Sequence, residues 1–229
     1  MEMRKKQIIS LFFWRRYSVT FDRVNRNGKS KEFARKNHDV PMFRDRSKQW
    51  KYISHEILKD MPIDYLEFGV FRGDSIREWS TLSISPNSRF YGFDTFTGLP
   101  EHWFKDYGKG AFDVGGKIPD ILDTRITFIK GAFQDTLESF LNGFNRRNRI
   151  VVHMDADLYS STLFVLLTLH HRLKEGDIIM FDDFLDPLGE FLAFSNYCQA
   201  FRIKAKLISA VKYGDLFDKV AFMLMSNMK

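Results

Sequence analysis

The apolar positions of this chain fall into short runs, and the runs alternate between two periods. Unbroken apolar stretches closed by Gly, Pro, Asn or Asp predict strands at 65–70, 89–94, 126–130, 149–154 and 178–181. Between them, apolar residues recur at spacings of three and four. Trp50, Ile53 and Ile57 draw such a stripe and predict a helix over about 44–59. Further helices are predicted at 75–82, at 135–140 with Asp135 as N-cap, at 160–173 and at 188–201. Two last apolar segments, 203–211 and 220–225, meet at Tyr213-Gly214-Asp215. That link is too short for a crossover helix, so these two strands are antiparallel. The pattern is an α/β fold: a seven-stranded, mostly parallel sheet with an antiparallel last strand and helices on both faces. Residues 104–120, with four glycines, read as a mobile surface segment or lid holding one short helix.

Composition adds limits. The 229 residues are 44% apolar and include 24 Phe, which suits one α/β domain with an extension and excludes a disordered chain. The single cysteine, Cys198, excludes an internal disulfide and a multi-cysteine metal site, and suits a reducing cytoplasm. It stands in an apolar stretch and reads as a buried thiol. No run reaches the length of a membrane span. The net charge of +6 is uneven: residues 1–60 hold 16 Lys/Arg against 7 Asp/Glu, and the rest is net acidic. The chain therefore divides into a basic N-terminal extension, 1–60, ending in the helix at about 44–59, and a domain at 61–229. The extension suits a membrane surface, nucleic acid or an anionic substrate, and equally a solvated face. The basic stretch around the turn signal Asn27-Gly28 reads as loop, and Leu11, Phe12 and Trp14 as docking on the domain, with insertion into a lipid surface as the alternative.

The stretch Asp64-Tyr-Leu-Glu-Phe-Gly-Val-Phe-Arg-Gly-Asp-Ser-Ile76 passes from strand through two glycines into a helix. In an open parallel sheet, ligands sit beyond the carboxyl ends of the strands. Gly69 would let a ligand approach the backbone, and Gly73 would let strand and helix pack closely. Helix N–H groups there favour an anionic group. Glu67 could accept from an ammonium group or hydroxyls. The spacing is G-x-x-x-G, not the dinucleotide fingerprint, and an ordinary strand–helix turn has the same composition. Asp94 ends the next strand, where a carboxylate can accept both ribose hydroxyls of S-adenosylmethionine or NAD; a capping or surface role is the alternative.

The densest chemistry lies in His153-Met-Asp-Ala-Asp-Leu-Tyr159 and Phe181-Asp-Asp-Phe184. Asp155 and Asp157 close one strand, and Asp182 and Asp183 close another. Four carboxylates thus converge at one sheet edge, where they raise one another's pKa or share a hard cation such as magnesium, calcium or manganese. Helix capping is the alternative for any one of them. His153 reads as structural, facing away. Tyr159 and Trp103 suit either a substrate pocket or core packing, and Arg146-Arg-Asn-Arg149 reads as a solvated turn.

Five ordered blocks carry a resemblance: Glu67-Phe-Gly-Val-Phe-Arg-Gly-Asp-Ser75, Gly92-Phe-Asp-Thr-Phe-Thr-Gly-Leu-Pro-Glu101, Lys130-Gly-Ala-Phe-Gln-Asp-Thr-Leu137, His153 to Thr162, and Phe181 to Phe184. Together they resemble the macrocin O-methyltransferase (TylF-like) family, which methylates sugar hydroxyls of natural products. The resemblance covers about 62–226 and implies the Rossmann-like class I methyltransferase fold, whose last strand is likewise reversed. It implies that Glu67, Phe68, Gly69, Val70, Phe71, Gly73 and Ser75 hold the methionine part of S-adenosylmethionine. Asp94 would hold the ribose, with Thr95 and Phe96 beside it, and Gly131 and Phe133 would lie near the adenine. Asp155, Asp182 and Asp183 resemble the family's magnesium ligands, with Asp155 also beside the cofactor. Asp157 resembles its base. Ala132 departs from the bulky aromatic expected there, and residues 1–60 have no counterpart in the resemblance.

The expected protein is a cytoplasmic, S-adenosylmethionine- and magnesium-dependent O-methyltransferase acting on a hydroxyl of a sugar or glycosylated metabolite, with a small-molecule or glycan acceptor as its partner. No DNA partner is expected, and a homo-oligomer is compatible with the chain. Two alternatives stand beside it. One is a methyltransferase that reaches RNA or lipid-linked polysaccharide at a membrane surface through the basic N-terminus. The other is a protein that binds S-adenosylmethionine without turnover.

Overall fold

The computed structural model describes residues 28–103 and 107–226. In chain order the elements are α1 (28–36), β1 (Met42–Phe43), α2 (Arg46–Tyr52), a π-helical turn at Ile53–Ile57, β2 (Ile63–Phe68), α3 (Asp74–Leu82), β3 (Arg89–Asp94), β4 (Ile126–Lys130), α4 (Phe133–Gly143), β5 (Arg149–Met154), α5 (Tyr159–Leu169), β6 (Ile178–Phe181), α6 (Glu190–Phe201), β7 (Ala205–Tyr213) and β8 (Leu216–Leu224). One sheet holds the strands in the order β1-β7-β8-β6-β5-β2-β3-β4. All pairs are parallel except those of β8, which runs against both β6 and β7. The reversed last strand predicted from the short turn is therefore present.

Strand alternation sorts the core into two layers. Leu66, Phe68, Val152, Met154, Ile179 and Phe181 face Leu137 and Leu141 of α4, Val165 and Leu169 of α5, and Phe194 of α6. Ile63, Tyr65, Val151, Ile178 and Met180 face Trp50 and Ile53 of the α2 segment and Ile76 and Trp79 of α3. Helices thus cover both faces. Strands β5 and β6 are buried almost throughout, whereas the edge strand β4 is half-exposed. This is why β5 and β6 read as unbroken apolar runs.

Some expectations need correction. The sheet has eight strands, not seven, because β1 pairs with β7 through Met42↔Ala210 and Phe43↔Val211. The first predicted strand and β7 are each displaced by two residues, and β8 begins four residues earlier than expected. Residues 28–36, read as loop, are helical because Phe33 sits among Phe184, Phe191, Phe217 and Phe222, with ring centroids 5.7–6.1 Å apart. Residues 28–60 contribute to the core: Ala34, Trp50 and Ile53 are buried, and Gln49 Nε2 donates to Ser209 Oγ at 3.1 Å. Helix α4 begins at Phe133, with Ala132 in the N-cap position, so Asp135 lies inside the first turn. Among the described residues of 107–125 there is no helix, only turns and a bridge between Thr97 and Asp113. Leu11, Phe12 and Trp14 lie outside the described residues. No helix among the described residues is long and apolar enough to cross a membrane.

Candidate active site at the carboxyl edge of the sheet

Register decides what meets at the sheet edge. Phe93, Phe68, Met154 and Phe181 are paired across β3, β2, β5 and β6. The next residue on each strand is Asp94, Gly69, Asp155 and Asp182. The ladder runs on for one more bond at each: Gly69 N–H donates to Phe93 O, Asp155 to Phe68 O and Asp182 to Met154 O, at 2.9–3.0 Å. Adjacent strands lie about 4.8 Å apart, so three aspartates stand in one row beside the glycine turn.

They border a cleft of about 410 Å³. Its floor near β2 and β3 is Gly69, Phe71, Asp94 and Thr95, with Ala132, Phe133 and Gln134 from the start of α4. Its other half is Asp155, Asp157, Asp182, Asp183 and Arg46. Leu99, Pro100, Trp103, Tyr107 and Phe112 close the outer side. There, Trp103, Tyr107, Phe112 and Phe71 follow one another at centroid spacings of 5.3–5.8 Å. Tyr107 and Phe112 are exposed although apolar, as befits the wall of a binding cleft.

The glycine turn is built differently from expectation. At Gly69, with φ +95°, an added Cβ would lie 1.8 Å from the Asp155 carbonyl oxygen. The bare backbone is needed for the end of β5, not first of all for a ligand. Gly73 caps α3 and faces Pro119 and Ile121 rather than the strand. Asp94 holds the turn together. Its Oδ2 accepts from the N–H groups of Val70 and Phe71, both at 2.8 Å, and its Oδ1 accepts from Phe96 N–H at 2.7 Å. Phe71 and Phe96 both have left-handed backbones, φ 52° and 58°. Such conformations persist where surroundings impose them, often at binding sites. Glu67, Phe68, Val70, Gly73, Ser75, Phe96 and Gly131 stand behind the cleft and do not line it.

Glu67 is fully buried, on the α2/α3 face. Its Oε2 accepts from Tyr65 O–H at 2.5 Å, and its Oε1 has no hydrogen-bond partner among the described residues. His153 does not face away into an apolar core. Its Nδ1 lies 2.6 Å from the Tyr65 oxygen and its Nε2 3.7 Å from Asp182 Oδ1. The one Tyr65 proton goes to Glu67, so the Tyr65 oxygen accepts from His153. Burial opposes a charge on His153, but Asp182 and Glu67 outweigh it and carry its pKa up to about 9.

The four aspartates are not equivalent. Asp182 keeps the strand alternation and turns to the face of His153, where Arg46 and Lys219 each reach its Oδ2 at 3.1 Å. Burial would raise its pKa, but the bond to His153 and the charges of His153, Lys219 and Arg46 hold it below the usual range. Asp155, Asp157 and Asp183 bring one oxygen each to within 4.8 Å of one another. Burial and then the neighbouring carboxylates push Asp157 up to about 9, and burial and Asp182 push Asp183 up to about 6. Asp157 and Asp183 share a hydrogen bond, and burial and Asp182 raise Asp155 well above the carboxylate range. Asp157 too has a left-handed backbone, φ 59°.

Several participants escaped the sequence reading. Arg46 and Lys219 neutralise Asp182; a Lys at the head of an apolar strand was the available signal. Glu190 is fully buried and bonds the backbone behind two of the aspartates; its signal was an acid opening a helix after Gly189. Trp103 lines the cleft, whereas Tyr159 is half-buried and its hydroxyl accepts from Asn196. Arg146 is no solvated turn: it grips the buried Asp177 with two bonds of 2.7 Å.

With this geometry in hand, the chain can be set beside known proteins. A Streptomyces olivaceus protein, 8-demethyl-8-(2,3-dimethoxy-alpha-L-rhamnosyl)-tetracenomycin-C 4'-O-methyltransferase, is 27% identical over 159 residues, 58% of each chain. The present chain thus spans less than two thirds of that relative's length. Among solved structures, the calicheamicin methyltransferase CalS11 superposes with a TM-score of 0.61 at 20% identity over 77% of each chain. The O-methyltransferase NovP superposes with a TM-score of 0.58 at 22% identity over 79% of each. At these identities the likeness is one of fold, and it is the class I methyltransferase fold. Residues 20–219, most of the sequence and including much of the segment left unmatched above, fit the macrocin-O-methyltransferase (TylF) description, and the chain belongs to that family.

Proposed function

We propose that this chain is an S-adenosylmethionine-dependent O-methyltransferase that acts, with magnesium, on a hydroxyl of a sugar or glycosylated small molecule. The observation that carries the reading is one cleft holding both a strand-end turn pinned by Asp94 and three carboxylate oxygens within 4.8 Å of one another. Family membership and the named activities of the relatives support the same reading. The residues fit both absent groups. Asp94 and the Gly69 backbone border the cleft together at the strand ends, which suits the ribose of a nucleoside cofactor. The aspartates offer only oxygen, which suits a hard cation.

When bound, S-adenosylmethionine supplies the methyl group, and magnesium supplies positive charge that favours an ionised acceptor hydroxyl. The chain's own residues do the rest. Asp155 and Asp183 hold the cation. Arg46, Lys219 and His153 keep Asp182 ionised and engaged behind them, in place of the ligand role that the resemblance implies. Asp157 holds a proton in the metal-free chain; a cation held by Asp155 and Asp183 would favour its ionised form, which would then take the hydroxyl proton. Asp94 keeps the turn in shape and accepts from the ribose. The wall of Trp103, Tyr107 and Phe112 excludes water and contacts the acceptor's ring. Five aspartates and one arginine line the cleft, which disfavours a polyanion such as RNA and favours an uncharged acceptor.

Calorimetry with S-adenosylhomocysteine and NAD, followed by transfer of labelled methyl to glycosylated small molecules and to RNA, tests this. Binding of S-adenosylhomocysteine but not NAD is expected, with label entering sugars and its rate falling on chelation. Absence of S-adenosylhomocysteine binding defeats the whole reading. Label in RNA alone defeats the acceptor class, and a rate indifferent to chelation and added magnesium defeats the cation.

A further inference from the structure

We propose that Glu190 is a positioning residue that clamps the two carboxylate-bearing turns at the spacing a divalent cation needs; the role rests on the cation reading above. Glu190 is the first residue of α6, is fully buried, and does not line the cleft. Its two oxygens are divided between two strand ends. Oε1 accepts from Ala156 N–H at 3.3 Å, and Oε2 accepts from Asp183 N–H at 3.0 Å. Ala156 stands between Asp155 and Asp157, so one side chain ties the turn after β5 to the turn after β6.

The tie has something to resist. Asp155, Asp157 and Asp183 repel one another when ionised, and the bond between Asp157 and Asp183 then lacks its proton; the last backbone ladder bond between the two strands is the one from Asp182 N–H to Met154 O. The turn after β5 also holds Asp157 in a left-handed conformation that a side chain disfavours. Two contacts impose it from α6. Glu190 fixes the Ala156 N–H, and Gly189 packs so closely that an added Cβ would lie 2.8 Å from the Asp157 carbonyl oxygen. The helix start therefore acts on the carboxylates through their backbone and touches neither cation nor substrate. Partners of this kind, one step behind the ligands, typically change metal affinity by roughly 10–100-fold when replaced.

The test is calorimetric titration of the full chain with Mn2+, Mg2+ and Ca2+, with S-adenosylhomocysteine titrated separately. Glu190→Gln keeps the shape, but its amide nitrogen must face one of the two N–H groups. Glu190→Asp is one methylene too short to reach both. Each is expected to lower Mn2+ affinity at least about tenfold and to narrow the preference for Mg2+ over Ca2+, because a slack site accommodates the larger ion. S-adenosylhomocysteine affinity should stay within about twofold. If the Glu190 variants do not fold, Gly189→Ala loosens the same contact and should shift the ion preference in the same direction. A lowered melting temperature with unchanged ion affinity and preference would reduce Glu190 to a structural residue and overturn the proposal. Asp155→Asn separates the two readings. If wild type and Asp155→Asn bind Mn2+ alike, the cation site itself is wrong, and the clamp falls with it.

Discussion

Replacing Asp94 by Ala separates two roles that the structure assigns to one carboxylate. Three backbone N–H groups lose their acceptor: Val70 and Phe71 at Oδ2, Phe96 at Oδ1. Hydrogen bonds to a charged group contribute about 1.5–3 kcal/mol each, but Asp94 is half-buried at the cleft and water can replace part of the loss. A net cost of about 2–4 kcal/mol follows, and in a chain of this size each kcal/mol moves the melting temperature by about 2–4 °C. Thermal unfolding followed by circular dichroism should therefore show a fall of roughly 5–15 °C. The ribose of S-adenosylhomocysteine would lose a further charge-assisted partner, also worth about 1.5–3 kcal/mol, or roughly 10- to 150-fold in affinity. Asp94→Asn retains one carbonyl oxygen and should fall between wild type and Ala in both measurements. If Asp94→Ala melts early but binds S-adenosylhomocysteine as wild type does, Asp94 only holds the turn and the ribose assignment is wrong. If affinity falls while the melting temperature stays, the three backbone bonds do not stabilise the protein and the account of the turn is wrong.

Two further outcomes are expected. In chelator, stability should fall as pH rises from about 5 to 9. Asp183 and Asp157 titrate at about 6 and about 9 in the folded chain, so their protonated forms favour folding at low pH, and that stability is lost as pH climbs through those values. His153, raised to about 9, loses its contribution in the upper part of the same range. Magnesium should flatten the slope, and a chelated protein whose melting temperature is level or rising from pH 5 to 9 would contradict the carboxylate geometry. A chain that starts at residue 42 should be less stable by about 2–4 kcal/mol than one that starts at residue 28, because Phe33 leaves its four phenylalanine neighbours; equal melting temperatures for the two truncations would refute this.

What the sequence determined by itself is the sheet and the row of charges along its edge. Strands β3 to β6 coincide with the predicted segments; for β5 and β6 the reason is that a parallel strand buried on both faces must be an unbroken apolar run, and a carboxylate closes it where water begins. Asp94, Asp155, Asp182 and Asp183 were legible for that reason, and the reversed β8 for the shortness of the turn before it. A two-residue strand has no period, so β1 was invisible, and α1 owes its place to Phe33 meeting rings some 150 residues or more away in sequence. The division of labour among the aspartates was likewise beyond a linear reading. Whether a carboxylate belongs to the cation group or to an ion pair depends on which face its side chain takes and on what arrives there. Arg46 comes to Asp182 from 136 residues away, and Glu190 reaches Ala156 from 34. Local pattern sets where a strand stops, because burial acts residue by residue along the chain. The partner that meets its last carboxylate is set by strand register and helix packing, which bring together residues that no local pattern relates.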